Sequence, residues 1–235
     1  MPIKIYGKNP VIEAFKAGRK VHKLVASEGL NARFLAPFHN AGVKIERMRR
    51  SVMDQQFDEN HQGVVAWVDD YKMVSLESTL KNTQKLKRYI ILDGVEDPHN
   101  LGAVLRNADA FGVTAVIIPS RRSVSVTPTV VKVSAGAIEH VDIVEVTNVS
   151  NTIETLKKHN VWVVGTDALA TQLIGDIRTD TDLCIVLGSE GKGLGQRVKA
   201  ACDYLVRIPM QGAINSLNVG VSSGIVLYSI QHESR

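Results

Sequence analysis

Apolar residues recur in two different rhythms along this chain, and the change comes near residue 88. Before it the elements are short and of mixed type. NPVIEAFKAG predicts a helix with Asn9 as its cap, Pro10 at the first helical position and Gly18 just past its end. VHKLVAS reads as a strand, NARFLAPFHNA as a helix, and VKIERM and GVVAWVD as two further strands. This pattern fits a small α/β unit covering residues 1–72. The next stretch, KMVSLESTLKNTQKLKR, is polar and carries five Lys and Arg, as expected of an exposed helix or linker over residues 73–88.

From residue 89 onward the apolar runs lengthen: RYIILDG, VTAVIIP, VDIVEV, VWVVGT, LCIVLG and YLVRIP, separated by helical or loop segments. Nearly continuous runs rich in Val and Ile mark strands covered on both faces, which is the habit of parallel sheets. The expected class is therefore α/β with a mostly parallel sheet in a second domain, residues 89–235. In open sheets of this kind ligands bind beyond the carboxyl ends of the strands, so chemistry is sought in the loops that follow each run.

Composition narrows the class without naming a function. The 235 residues are 44% hydrophobic and 22% charged, as in ordinary globular proteins. No apolar run is long enough to cross a bilayer, and MPIKIYGKNP lacks the apolar core of a signal peptide, so a cytoplasmic protein is expected. Cys184 and Cys202 read as core residues, and the seven His show no metal spacing, so no metal site is expected. Charge is divided unevenly. Residues 1–88 hold 16 Lys+Arg against 9 Asp+Glu, a balance of +7, whereas residues 89–235 hold 12 against 15, a balance of −3. Excess positive charge confined to one part suggests a polyanionic partner, RNA or DNA, engaged by that part.

Three segments that follow strands stand out. After RYIILDG comes VEDPHNLGAVLRNADAFG, where Asn100 can cap a helix whose apolar face is Leu101, Val104, Leu105 and Ala108, with Arg106 on another face. After LCIVLG comes SEGKGLG, a glycine-rich loop that is neither a P-loop nor a dinucleotide fingerprint. Glu190 in its middle would repel a phosphate, so the loop suits a neutral or cationic ligand. After YLVRIP comes MQGAINSLNVGVSSG, whose Asn215–Gly224 run packs two Asn, three Ser and two Gly into ten residues. Ser216 and Asn218 can offer polar groups at a helix start, and Gly220, Ser222, Ser223 and Gly224 leave a face that another backbone can approach closely.

Together, NLGAVLRNADAFG, IVLGSEGKGL and IPMQGAINSLNVGVSSGIVLY resemble, in order and separation, the three motifs of the SpoU or TrmH-like class of the SPOUT superfamily. These are RNA ribose 2′-O-methyltransferases. YGKNPVIEAF and ENHQGVVAWV are similar to the small L30e-like substrate-binding domain of the branch that methylates a guanosine ribose in 23S ribosomal RNA of the large subunit. The resemblance implies a trefoil knot at the carboxyl end of the sheet, S-adenosyl-L-methionine as cofactor, and a homodimer through the knotted domain, pairing by the helix from Val219 to Ile230. By position it implies cofactor contacts at Leu187, Gly188, Ile208, Met210, Leu217 and Thr166. It implies catalytic positions at Asn100, Arg106, Glu190, Ser216 and Asn218. Asn100 and Asn218 would orient the substrate or Arg106, Glu190 would anchor the Arg106 guanidinium, and Ser216 would bond the ribose or cofactor. Two alternatives stay open: a transfer-RNA ribose methyltransferase, and an RNA-binding assembly factor that keeps the fold without catalysis.

Overall fold

The structure, a computed structural model, describes residues 2–57, 60–81, 86–121, 123–212 and 216–233. The chain divides into two compact units. One comprises residues up to Lys72 together with Val126–His140, and the other comprises Met73–Ser125 and Val141 onward. Residues 126–140, which the sequence reading places in the second domain, thus cluster with the first.

Among the described residues the first unit carries a four-stranded sheet in the order β1 (Ile3–Tyr6), β4 (Val64–Val68), β2 (Val21–Ser27), β3 (Ile45–Met48). Its helices are α1 (Lys8–Lys16), α2 (Ala32–Asn40) and α3 (Arg50–Gln56). α1 starts two residues earlier than Asn9 as cap would allow. Gly7 is the cap residue, and the Lys8 N–H is taken by Gln62 Oε1 at 3.1 Å rather than by a side chain of the cap. Its other end follows expectation: Gly18 has φ +81°, Gly18 N–H bonds Phe15 O, and Arg19 N–H bonds Ala14 O. That pair of bonds satisfies the last carbonyls of the helix, and the left-handed position is one glycine takes without strain. The inserted segment contributes α6 (Pro128–Val133), which packs on β1, and a 3-10 turn over Ala137–Glu139, which packs on α1. Glu139 is nearly sealed from solvent and ion-paired to Arg19. Burial raises its carboxyl above the ordinary range, against the pull of that guanidinium.

Among the described residues the second unit holds seven strands in the order β7 (Asp142–Val146), β6 (Ala115–Pro119), β5 (Arg88–Asp93), β10 (Leu183–Gly188), β8 (Trp162–Thr166), β11 (Tyr204–Arg207), β9 (Gln172–Leu173), every pair parallel. Side chains alternate across the sheet. Tyr89, Ile91, Ile117, Val163, Cys184 and Val186 pack with Ile153 and Leu156 of α7 (Val149–Lys158) and Val198 of α8 (Gln196–Ala201). The alternate set, Ile90, Leu92, Val116, Ile118, Ile185 and Leu187, is equally buried, on the face that carries α5 (Pro98–Ala110) and α9 (Val219–Glu233). Both faces are covered, as the continuous apolar runs require. A short helix, α4 (Leu76–Leu80), lies within the stretch read as exposed helix or linker. Cys184 is fully buried and Cys202 partly so; burial pushes the Cys202 thiol up to about 12 and that of Cys184 also well above its ordinary value.

Among the described residues no helix is long and apolar enough to cross a membrane, and no group of three or more His, Cys, Asp and Glu is placed to hold a metal ion.

Candidate active site

α5 begins differently from the sequence expectation. Pro98 occupies its first turn and the cap is Asp97, whose Oδ1 accepts the His99 N–H at 2.8 Å. Asn100 therefore does not cap. It sits inside the first turn, buried, with its amide turned to other partners: Nδ2 donates to Glu190 Oε1 at 3.1 Å, and Oδ1 accepts from Asn218 Nδ2 at 2.7 Å. Leu101, Val104, Leu105 and Ala108 are all fully buried, as the apolar spacing predicts.

Asn218 is the cap the third segment needs. Its Oδ1 accepts from Gly220 N at 2.9 Å and Val221 N at 3.3 Å, which satisfies two backbone donors at the start of α9. Its Nδ2 donates to Asn100 Oδ1 and to Glu190 Oε1, both at 2.7 Å. Both amide hydrogens of Asn218 are thus used within the protein. Glu190 Oε1 gathers donors from Asn100, Asn218 and, at 3.4 Å, the backbone N–H of Val219. The three motif segments are tied into one network by this carboxylate.

The small residues of the third segment have a packing role as well. A Cβ on Gly220 would lie 2.6 Å from the Ala103 Cβ on α5. Asn107 Nδ2 donates to Gly220 O at 2.7 Å and to Ser223 Oγ at 2.8 Å, so a polar clasp joins α5 to α9 where the backbones approach. Asn215, at the head of the run, lies outside the described residues.

Beside this network the carboxyl ends of β8, β10 and β11 and the start of α9 enclose a cavity of about 310 Å³. Thr166, Leu187, Gly188, Ile208, Met210 and Leu217 line it, as do Glu190 and Ser216. The loop after β10 is tightly folded. Gly193 N–H bonds Ser189 O at 2.9 Å, Gly191 and Gly193 have φ of +84° and +64°, and Gly195 N–H bonds Asp93 Oδ2 at 2.8 Å. Sequence reasoning missed Asp167, Lys192, Lys199 and Ser222, which also line the cavity. Asp167 is ion-paired to Lys199 and accepts the Leu169 N–H at 2.8 Å, and those bonds, Lys199 first, lower its carboxyl pKa. Its position directly after VVGT was the available signal.

Arg106 stands apart. It is exposed, does not line the cavity, and has no hydrogen bond or ion pair among the described residues. Six residues of helix place it roughly 9 Å along the axis from Asn100. The expected anchoring of its guanidinium by Glu190 is not what the structure shows, because that carboxylate is bonded to Asn100, Asn218 and Val219.

Residues 87–228 match the SpoU rRNA methylase family, and residues 4–74 match the family described as RNA 2′-O ribose methyltransferase substrate binding. YacO of Bacillus subtilis (strain 168), assigned to the TrmH family of tRNA/rRNA methyltransferases, is 41% identical over 233 residues, covering 96% of this chain and 94% of that protein. A relative in Staphylococcus epidermidis with the same family assignment is 41% identical over 235 residues, with 97% and 94% covered. A solved RNA 2′-O ribose methyltransferase superposes with a TM-score of 0.82 at 26% identity, covering 99% of this chain and 89% of that one. The SpoU methyltransferase AviRb of Streptomyces viridochromogenes, solved in complex with AdoMet, shares the fold: TM-score 0.83, 22% identity, 99% and 90% covered. With a family match across the whole parallel sheet and the three motif segments joined at one carboxylate, the chain belongs to the SpoU/TrmH family of RNA 2′-O-ribose methyltransferases.

Proposed function

We propose that this protein binds S-adenosylmethionine in the cavity at the carboxyl ends of β8, β10 and β11 and methylates the 2′-hydroxyl of a guanosine in 23S ribosomal RNA, in the cytoplasm. The observation that carries the reading is the Glu190 network at the wall of a cavity whose size and lining suit the cofactor. About 310 Å³ with Leu187, Ile208, Met210 and Leu217 on its walls can take an adenine-sized apolar body. The backbone of the loop 188–193 and the Thr166 and Ser216 hydroxyls would hold its polar edges. Residues 1–72 hold 12 Lys+Arg against 8 Asp+Glu, a balance of +4 that supports an RNA partner for the first unit, and the match of residues 4–74 to a substrate-binding family agrees with it.

Bound there, the cofactor supplies a methyl group on a sulfonium, open to in-line attack. The protein must align the ribose oxygen with that methyl and favour loss of its proton. Glu190, fixed by three donors, holds the start of α9 and the first turn of α5 in register, so Asn100 and Ser216 keep fixed places at the reacting end. Asn100 retains one amide hydrogen beyond the one given to Glu190, and Ser216 retains its hydroxyl. Arg106, exposed and without a partner among the described residues, has its planar fork free for a phosphate and the developing charge on the ribose oxygen. The knotted carboxyl end implied by the family is part of the same proposal, since the crowding at Gly220 against Ala103 is what a tucked chain needs.

Purified protein with methyl-labelled S-adenosylmethionine should label a 23S ribosomal RNA transcript at one ribose, mapped by resistance of the neighbouring linkage to alkali. Label in transfer RNA instead would overturn the ribosomal assignment. Cofactor binding with no label in either RNA would favour the non-catalytic assembly factor.

The same reading includes a homodimer. Val221, Ile225 and Tyr228, at helical spacing on α9, are 51%, 36% and 59% exposed, an apolar stripe that a second copy of this helix would cover. Light scattering at micromolar concentration should give a dimer for the wild type and a monomer for Ile225→Glu. A fully active wild-type monomer would rule the dimer out.

A further inference from the structure

In the small sheet β1 and β2 each run antiparallel to β4, and β3 runs parallel to β2. The carboxyl ends of β1, β2 and β3 therefore share one edge, and from it the chain leaves into α1, α2 and α3. Lys8, Arg33, Arg47, Arg49 and Arg50 lie on these exits, all of them exposed. The acids described on β3, these exits and their helices are Glu13, Glu28, Glu46 and Asp54, of which Glu13 is paired with Lys16 and Glu46 with Lys23.

Two of the guanidiniums are held in place. Arg47 Nη1 donates to Ser27 O at 2.9 Å and to Leu30 O at 3.4 Å. Arg50 Nε donates to Asp54 Oδ1 at 3.0 Å, and that oxygen is also 3.0 Å from Nε2 of the buried His61. His61 Nδ1 accepts the Gly63 N–H at 3.1 Å, which leaves Nε2 as the nitrogen that donates to Asp54. Below Arg50 the chain makes a tight turn, with Gln62 at φ +51°, Gly63 at φ +81° and Val64 N–H on His61 O at 2.8 Å. A Cβ on Gly63 would meet Ser27 Oγ at 2.6 Å and Arg50 Nη1 at 3.3 Å, so the guanidinium lies over that turn. Arg49, between the two, has no hydrogen bond or ion pair among the described residues. At the opposite edge the arginine is already satisfied: Arg19 is paired with Glu139 and donates to Asp69 O, and His22 is paired with Asp69. Lys20 and Lys44 remain exposed there.

We propose that Arg47, Arg49 and Arg50 form the face of the small unit that grips the RNA backbone, each fork taking phosphate oxygens. The proposal rests on the reading of this chain as an RNA methyltransferase and names the surface its substrate crosses. Arginines preset by Asp54 and by the Ser27 and Leu30 carbonyls lose less freedom on meeting a phosphate than mobile lysines do.

The test is the salt dependence of binding of the full-length protein to a 23S ribosomal RNA transcript, followed by fluorescence anisotropy. Removing one cation that neutralises a phosphate should flatten the slope of log K against log salt by about 0.7 to 0.9. Arg49→Ala and Arg50→Ala should each do so and weaken binding several-fold near 0.1 M salt. Arg49→Lys and Arg50→Lys should keep the wild-type slope, which separates the effect of charge from a damaged fold. Lys20→Ala and Lys44→Ala should leave slope and affinity unchanged. Wild-type slopes in both Arg→Ala variants, or flattened slopes in the two lysine variants alone, would move the RNA to another face. Because binding is the readout, a protein that grips RNA here yet methylates none leaves this face standing and removes the enzymatic reading. Methylated RNA with wild-type slopes in the Arg→Ala variants does the reverse.

Discussion

Gly188→Ala is expected to weaken S-adenosylmethionine binding by roughly tenfold to a hundredfold, the scale of the ~1–3 kcal/mol that overpacking a tightly packed position costs. A Cβ at this position would lie 2.3 Å from the Gly193 carbonyl carbon and 2.5 Å from Leu194 N. Both are backbone atoms, so no side-chain rotation relieves the clash, and the whole turn from Ser189 to Gly193 must move. That turn is a wall of the cavity, and Gly195 N–H and Asp93 Oδ2 tie its far end to β5. Gly191→Ala makes a useful contrast, since its Cβ meets nothing within 4 Å and only the φ of +84° opposes it. The cost there is about 1 to 2 kcal/mol of backbone strain, felt in thermal stability more than in the shape of the wall. Calorimetric titration of the cofactor into both variants decides. Gly188→Ala within twofold of wild type would mean that the loop after β10 does not shape the site.

Much of this architecture is legible in the chain because the physics that writes it is local. A strand covered on both faces cannot alternate with polar residues, so LCIVLG and RYIILDG read as buried strands of a parallel sheet; that β10 and β5 are neighbours, paired over Leu183–Gly188 and Arg88–Asp93, is seen only in the fold. Gly18 is legible for the same reason, since a left-handed position after a helix favours glycine. Capping is less legible where several polar residues compete. Asp97, Asn100 and Asn218 can all cap in principle, and only the fold decides that Asp97 and Asn218 do so while Asn100 turns to Glu190.

Residues 126–140 show the other limit. Nothing in TPTVVKVSAGAIEH marks a change of unit, because its apolar positions serve equally well against either core. What assigns the segment is partnership at long range: Glu139 with Arg19, His140 with Glu13, and Gly136 where a Cβ would meet the Glu13 side chain at 2.7 Å. A fragment cut near residue 87 would carry this segment without Arg19 and Glu13, leaving the Glu139 carboxylate without its cation. A clean separation of the two units by truncation is therefore not to be expected, whatever the charge balance suggests. The sequence also offered Arg106 and Glu190 as a natural ion pair, and proximity to two amides and a helix start took the carboxylate elsewhere.

That separation gives the Arg106 test its form. If the guanidinium acts as a clamp on phosphate and ribose oxygen, Arg106→Lys keeps the charge and loses the fork, so methyl transfer should slow on the order of a hundredfold at every pH. If position 106 instead serves as a base, lysine is the better residue, because an ammonium loses its proton far more readily than a guanidinium. The Lys variant should then gain rate as pH climbs towards the ordinary lysine value of about 10.4. Arg106 lies outside the cavity and holds none of its lining residues, so cofactor affinity should be unchanged in either case and serves as the control for folding. Single-turnover rates with saturating RNA, from neutral pH to about pH 10, separate the two without interference from product release. A slow and pH-flat Lys variant with normal cofactor binding establishes the clamp. Recovery of that variant at high pH, with the wild type flat, would establish the base and leave the free fork of Arg106 without a catalytic purpose.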